Sequence, residues 1–321
     1  MMLEDLKNFA EQFAWDPKII NRKKFKTNRK MIVLGMGGSN HATELLAEQT
    51  NLSIIAHRNY GLPKLSDKEL KEYLIVADSF SGNTEEVIDG LKLALNKKLK
   101  VLIIATGGRL IRLAKTKDLP YIQIPGQGGQ PRLGLGWQTR ALLKAAGLTQ
   151  DLKETKELAT SLKSTIYQKQ GEKLARQLKN KVPIIYSSKV NRPLAYNWKI
   201  KFNENTKIPA FYNVFPELNH NEINGFDITQ TTKQLSKNYY FIFLEDKTDH
   251  PHIQKRMQIT KKLYRAKKLP IITLSLKGKN AWYKTFSNLI LADWVSFYLA
   301  KNYGIDPETV PMIERLKKLI K

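Results

Sequence analysis

Two glycine- and hydroxyl-rich turns, each leaving a short apolar run, constrain this chain more than any other feature. In MIVLGMGGSN the run Met31 to Leu34 reads as a buried strand. Gly35, Gly37 and Gly38 then let the backbone turn tightly with its N–H groups exposed to an anion, and Ser39 opens the next helix. In YLIVADSFSGNTEEV a strand at Leu74 to Ala77 leads through Ser79, Ser81, Gly82, Asn83 and Thr84 into a helix whose first turn holds Glu85 and Glu86. Hydroxyls, free N–H groups and the positive end of a helix converge there, where a phosphate would sit. Neither turn is a nucleotide signature: the first lacks the GxGxxG spacing and the second has no lysine to complete a P-loop. Taken alone, each is equally an ordinary strand-to-helix turn with a serine cap.

In this order the two turns resemble the sugar isomerase (SIS) domain, a doubly wound α/β module that binds phosphosugars and grips the phosphate with an SxSGxT element. The resemblance implies Gly38, Ser39, Ser79, Ser81 and Thr84 as substrate-binding residues. Phe80 stands between the serines where the family commonly has tyrosine. The rhythm of the chain fits such a module. Apolar runs at Met31 to Leu34, Leu52 to Ala56, Leu74 to Ala77, Val101 to Ala105 and Tyr121 to Ile124 alternate with helical patterns, which predicts a parallel sheet.

A polar, lysine-rich stretch from Thr149 to Lys181, with helical periodicity at Leu152, Leu158, Leu162 and Ile166, joins a first half to a second. Strands follow at Pro183 to Ser187, Tyr239 to Leu244 and Ile271 to Leu274, with a long apolar helix from Trp282 to Tyr303. The expected architecture is α/β with two SIS-type doubly wound domains, each a mainly parallel sheet flanked by helices. Residues 1–150 form the first, with a helical N-terminal extension, and residues 151–321 the second, with a terminal helix. Ligand groups belong at the carboxyl ends of the strands.

With 321 residues and 42% hydrophobic content the chain can bury two cores of ordinary size. It has no apolar run of about 18 residues, and the acids within MMLEDLKNFAEQFAWD are unlike a signal peptide. The expected location is the cytoplasm, away from membranes. The absence of cysteine excludes disulfides, thiolate metal sites and cysteine nucleophiles. A formal charge of +25 raises the question of nucleic acid, since lysine and arginine displace counterions from phosphates. The basic residues are spread through nearly every helix and loop, at Arg22 to Lys26, Lys97 to Lys100, Lys261 to Lys268 and Arg315 to Lys318, with no recognisable nucleic-acid motif. They read as solvated faces whose field draws anionic substrates.

The segment IPGQGGQPRLGLGW, Ile124 to Trp137, is a flexible linker on composition alone. It also resembles the PGGxxPRxxxGY element of one SIS subfamily, the archaeal-type bifunctional phosphoglucose and phosphomannose isomerases, with an altered order around Gln127 to Gln130. In that family the arginine matching Arg132 lies at the substrate. Two later segments carry the same resemblance: KFNENTKIPAF, containing Glu204, resembles NENxK, and FPELNHNEINGF, containing His220, resembles PExxHNE. Together these cover nearly the whole chain from Met31 onward.

The resemblance implies an isomerase that opens a hexose 6-phosphate ring and moves a proton between C2 and C1 through a cis-enediol, with no cofactor or metal. Glu204 would be the general base, a role served by partial burial. Arg132 would offset enediolate charge. An imidazole titrates near neutrality, and His220 would pass a proton to the ring oxygen. In related enzymes this histidine comes from the partner subunit, which implies a homodimer. DPETVPMIERLKKLI resembles the family's terminal helix with its site lysine, and Lys317 is the best match, beside Lys318.

Each role has a plainer counterpart: Glu204 as a helix cap, His220 as a hydrogen-bonded interface residue, Lys317 on a solvated amphipathic tail. Glu217 and Glu222 are rival acids, and the His250/His252 pair, lacking a third ligand, reads as a polar loop. The alternative function is a noncatalytic phosphosugar sensor. Such regulators usually carry a helix-turn-helix domain, for which the first α/β domain begins too early. A glutamine-dependent glucosamine phosphate synthase would need an amidotransferase half and its cysteine.

Overall fold

The computed structural model describes residues 2–126 and 129–320. The chain divides into two compact units, Asn8–Leu162 on the one hand and Met1–Lys7 with Lys163–Lys321 on the other.

The unit Asn8–Leu162 holds a sheet of five strands, β1 (Lys30–Leu34), β2 (Ser53–His57), β3 (Leu74–Asp78), β4 (Val101–Ala105) and β5 (Tyr121–Gln123). They run in the order β2-β1-β3-β4-β5 and pair in parallel throughout. Strands β3 and β4 are buried along their whole length, which is why they read as continuous apolar runs rather than alternating ones. On one face Ile32, Leu34, Ile75, Ala77 and Ile103 pack against Val87, Ile88 and Leu91 of the helix Glu85–Asn96 and Leu110, Ile111 and Ala114 of the helix Gly108–Thr116. Fully burying side chains of this size stabilises the unit by about 1.5–3 kcal/mol each. The helices Ser39–Gln49 and Leu135–Ala146 pack on each other beside the sheet. Strand order reverses between β1 and β3, the place where open α/β sheets leave a crevice at their carboxyl ends.

The other unit has four parallel strands, β6 (Val182–Ser188), β7 (Phe211–Phe215), β8 (Tyr239–Asp246) and β9 (Ile271–Leu276), in the order β7-β6-β8-β9. Its core is aromatic, with Tyr186 packed edge-on to Phe215 and Phe243 and Tyr264 against Phe241. The 22-residue helix Ala281–Asn302 buries Trp282, Phe286, Trp294 and Phe297 and packs against the helix Gln168–Leu178.

Two doubly wound parallel sheets are therefore present, as the alternation of apolar runs predicts. Strand β7 is the one that periodicity misses, because its FYNVF is short and only its last residue is buried. The helical stretch from Thr149 is broken at Leu162 and Lys163, whose backbones are extended, and a 3-10 turn follows at Ser164–Tyr167. Leu158 and Leu162 are buried as expected, but Ile166 falls in that turn and is 59% exposed. The glycine-rich stretch, a linker on composition, lies inside the first unit. Of it, Gln127 and Gly128 fall outside the described residues. Among the described residues, no helix is long and apolar enough to cross a membrane.

Candidate active site

The crevice of the first unit is built from the turns that follow β1, β3 and β4. Ser39, buried at the start of its helix, accepts the Phe80 N–H through its hydroxyl at 2.9 Å and so ties the first turn to the second. Asn40 donates its amide to the Gly35 carbonyl at 2.8 Å, closing the first turn on itself. In the second turn Gly82 N–H is held by the Ser79 carbonyl at 2.9 Å and the Ser79 hydroxyl at 3.1 Å. The Ser79 hydroxyl meets that of Thr84 at 2.7 Å. Thr84 is the residue before the helix Glu85–Asn96 and makes no side-chain cap to it, so its hydroxyl does not occupy the first N–H groups of that helix. Ser81 is exposed, its hydroxyl accepting the Asn83 N–H at 3.3 Å. The turn after β4 locks the second from behind: Thr106 and Leu110 donate backbone N–H groups to the carbonyls of Phe80 and Gly82. Gly82 sits at φ +68° with its Cα against Gly107, where a Cβ would collide with the Gly107 carbonyl.

Arg132 belongs to the same construction. It lies in the 3-10 turn Pro131–Leu133, buried to 4% exposure, with its guanidinium donating to Gln130 Oε1 at 3.0 Å. Its backbone nitrogen lies 3.3 Å from where a Gly38 Cβ would be, and Gly134 leaves the room that the Phe80 ring occupies. The backbone turn that carries Arg132 is thus packed against both hydroxyl-bearing turns. Gly38, Ser39, Ser79, Ser81, Thr84 and Arg132 are brought together in one unit.

Glu204, His220 and Lys317 lie on three elements of the other unit. Glu204 is half-buried within a π-helical turn, Phe202–Thr206, that continues the helix Arg192–Lys201 and ends on Lys207 at φ +54°. Such wide turns re-aim one side chain out of the regular helical repeat. The turn is held by Asn205 donating to Ser296 Oγ at 2.8 Å, Asn203 donating to the Ile208 carbonyl at 2.9 Å, and the ion pair of Lys201 with Asp293 beneath it. His220 ends the 3-10 turn Glu217–His220 and is exposed. Lys317 is exposed on the helix Pro311–Leu319.

The rival acids are otherwise occupied. Glu222 accepts hydrogen bonds from the Tyr186 hydroxyl and the Asn213 amide, one on each oxygen, and burial holds the Tyr186 phenol well above its ordinary range, as a donor. Glu217 accepts from Asn221 at 2.9 Å. His250 caps the helix Pro251–Ala266 by accepting the His252 N–H, and no group of three metal-ligating side chains occurs among the described residues.

Sequence reasoning passed over Asp78, the last residue of β3. It is completely buried, accepts from the Gln138 amide at 3.2 Å, and burial pushes its carboxyl up to about 8 against a smaller lowering by the Gln138 bond. Its place at the end of an apolar strand, one residue before the first serine, was the available signal.

Two parallel α/β sheets, with a hydroxyl-lined turn and an arginine at the switch point of the first, define an SIS-type protein. The family model for the bacterial phospho-glucose isomerase C-terminal SIS domain matches residues 167–320. A bifunctional phosphoglucose/phosphomannose isomerase of Aquifex aeolicus is 31% identical, covering 98% of this chain and 97% of its own. One from Caldicellulosiruptor bescii is 33% identical over 98% of both. Among solved structures, the C-terminal domain of glucosamine-fructose-6-phosphate aminotransferase from Francisella tularensis has the same fold, with a TM-score of 0.69 at 14% identity over 96% of this chain and 98% of that one. The chain belongs to the bifunctional phosphoglucose/phosphomannose isomerase family.

Proposed function

We propose that the protein is an aldose–ketose isomerase that interconverts glucose 6-phosphate and mannose 6-phosphate with fructose 6-phosphate, acting as a cytoplasmic homodimer. The observation that carries this reading is end-to-end membership of the family together with a hydroxyl-lined anion crevice that seats Arg132. The sensor reading accounts for the crevice but not for the second-unit likeness.

The 6-phosphate docks over the turns Gly35–Ser39 and Ser79–Thr84, taking hydrogen bonds from Ser81, Thr84 and the N–H groups before the helix Glu85–Asn96. His220 of the partner subunit passes a proton to the ring oxygen while the C1 hydroxyl loses one, which opens the ring to the aldehyde. Glu204 then takes the C2 proton, electrons shift to the C1 oxygen, and the resulting cis-enediolate is held by Arg132. Transfer of the C2 hydroxyl proton to the C1 oxygen and return of the abstracted proton from Glu204 to C1 leave a carbonyl at C2 and give the ketose. Lys317 contacts the open sugar. Glucose and mannose 6-phosphate differ only at C2, so both collapse to one enediol once that proton is gone.

The test follows purified protein, with no metal added, converting fructose 6-phosphate under separate coupled detection of the two aldose phosphates. Both products are expected. Binding of fructose 6-phosphate with neither product formed would leave the sensor.

A further inference from the structure

Asp78 and Gln138 form a buried pair directly behind the phosphate-binding turn. Both are 0% exposed. One hydrogen bond joins them, Gln138 Nε2 to Asp78 Oδ1 at 3.2 Å, and the remaining oxygen of each, Asp78 Oδ2 and Gln138 Oε1, has no hydrogen-bond partner among the described residues. Two acceptor oxygens left over on side chains already joined are the heavy-atom signature of a carboxylic acid facing a primary amide. A proton on Asp78 Oδ2 would be donated to Gln138 Oε1 and satisfy both at once, whereas an ionised Asp78 leaves both unsatisfied in the interior.

The surroundings favour the neutral form. Ile75 and Ala77 face the helix Glu85–Asn96 from one side of β3, and Asp78 has the opposite parity. Its sheet neighbours are Gly35, against its carbonyl, and Ile104. The titratable groups on the elements packed on that side are His41, Glu44 and Glu48 on the helix Ser39–Gln49, Arg140 and Lys144 on the helix Leu135–Ala146, Lys30 on β1, and Arg132. Glu44 pairs with Arg58, and Arg140 is committed to the carbonyls of Trp15 and Leu152 and the hydroxyl of Thr155. None of these enters among the causes that set the Asp78 proton affinity, which are burial and the Gln138 bond, together placing it at about 8.

We infer that Asp78 is a positioning residue for the phosphate turn, held as a neutral acid by a two-bond pairing with Gln138, and that its ionisation weakens sugar-phosphate binding. Two consequences support a purpose for it. The pairing anchors the end of β3 to the helix Leu135–Ala146, which begins two residues beyond Leu133 in the turn that carries Arg132, so hydroxyls and guanidinium share one anchor. Loss of the proton would also place a negative charge one residue before Ser79, opposing an anion in the crevice. Binding and protonation are reciprocal, so bound phosphate ester should raise the proton affinity of Asp78 further.

The inference rests on the proposed phosphate crevice, and the test separates the two. Infrared difference spectra of the wild-type protein between pH 6.5 and 9.5 should show a protonated-carboxyl band lost on alkalinisation, absent from Asp78→Asn. That readout does not depend on any substrate. Calorimetric titration with fructose 6-phosphate should show affinity falling about tenfold across the same range for wild type. Asp78→Asn, whose amide can make both bonds to Gln138, should bind with a flat profile, and Asp78→Ala should bind at least tenfold more weakly at pH 7. Absence of the carboxyl band, or parallel pH profiles in wild type and Asp78→Asn, overturns the inference. A band that titrates in a protein with no affinity for fructose 6-phosphate at any pH retains the neutral acid but overturns its link to binding, and with it the reading of the crevice.

Discussion

The hydroxyls of Ser79 and Thr84 lie 2.7 Å apart, and the Ser79 oxygen also accepts the Gly82 N–H. Either hydroxyl can donate in this contact, and in the arrangement where Ser79 donates to Thr84 the Thr84 proton is free for an incoming phosphate oxygen. Ser81→Ala combined with Thr84→Ala should therefore raise KM for fructose 6-phosphate by tenfold or more and leave kcat nearly unchanged. Each hydroxyl bonded to a charged oxygen is worth about 1.5–3 kcal/mol. Thr84→Ser, which keeps the proton, should restore most of the affinity. Steady-state kinetics of the two variants checks this, and an unchanged KM in the double variant would remove the turn from phosphate binding.

Gly82 and Gly37 separate the two reasons a turn can demand glycine. Both have positive φ, but Gly37 has nothing within 4 Å of the place a methyl would take, while Gly82 faces the Gly107 carbonyl at overlap distance. Gly37→Ala should cost about 1 kcal/mol, the ordinary strain of a side chain in the left-handed region. Gly82→Ala must also push the turn after β3 away from the turn after β4, and should lower Tm by more and abolish fructose 6-phosphate binding. Thermal melts with and without ligand distinguish the two.

The second unit supports Glu204 through a buried charge pair. Lys201 and Asp293 are 1% exposed each and joined side chain to side chain beneath the π-helical turn. Taking away one partner leaves the other charge in the core, at a cost of about 3–5 kcal/mol. Lys201→Met should therefore show a urea midpoint far below wild type, and Lys201→Met with Asp293→Leu should recover much of it. If the single variant were as stable as wild type, the pair would not hold this turn.

Glu204→Gln keeps the size and hydrogen-bonding reach of the side chain and removes only its ability to take a proton. On the proposed mechanism it should bind fructose 6-phosphate normally, lose isomerisation by a factor on the order of 1,000, and stop exchange of the substrate proton with solvent deuterium. Retained exchange would assign the proton transfer to another residue.

How much was legible in the sequence follows from what kind of interaction shapes each part. Strands β1, β3 and β4 announce themselves because a parallel sheet covered on both faces needs unbroken apolar runs, and Met31 to Leu34, Leu74 to Ala77 and Val101 to Ala105 supply them. The turn residues were equally readable, since Ser39, Ser79 and Thr84 bond locally or to an adjacent turn. Strand β7 escaped because Phe211 is 52% exposed at a sheet edge, which leaves no buried run to see. The π-helical setting of Glu204 and the pairing of Asp78 with Gln138 depend on contacts with residues 60 or more positions away, Asn205 to Ser296 and Asp78 to Gln138, which no local pattern encodes.

Asp78 also contributes to the pH dependence of stability. Its carboxyl titrates near 3.8 when free and is pushed to about 8 by burial in the folded protein. Below 3.8 both states hold the proton and the group makes no difference. Between the two values the unfolded chain has released a proton that the folded chain keeps, so stability falls as pH rises, by at most about 1.4 kcal/mol per pH unit. Above about 8 both states are ionised and the contribution is constant. Asp78→Asn has no such proton to keep, so the stability of the variant relative to wild type should rise steadily from pH 5 to pH 8 in urea denaturation and level off beyond. A difference that stays constant over that interval would mean that Asp78 is ionised in the folded protein.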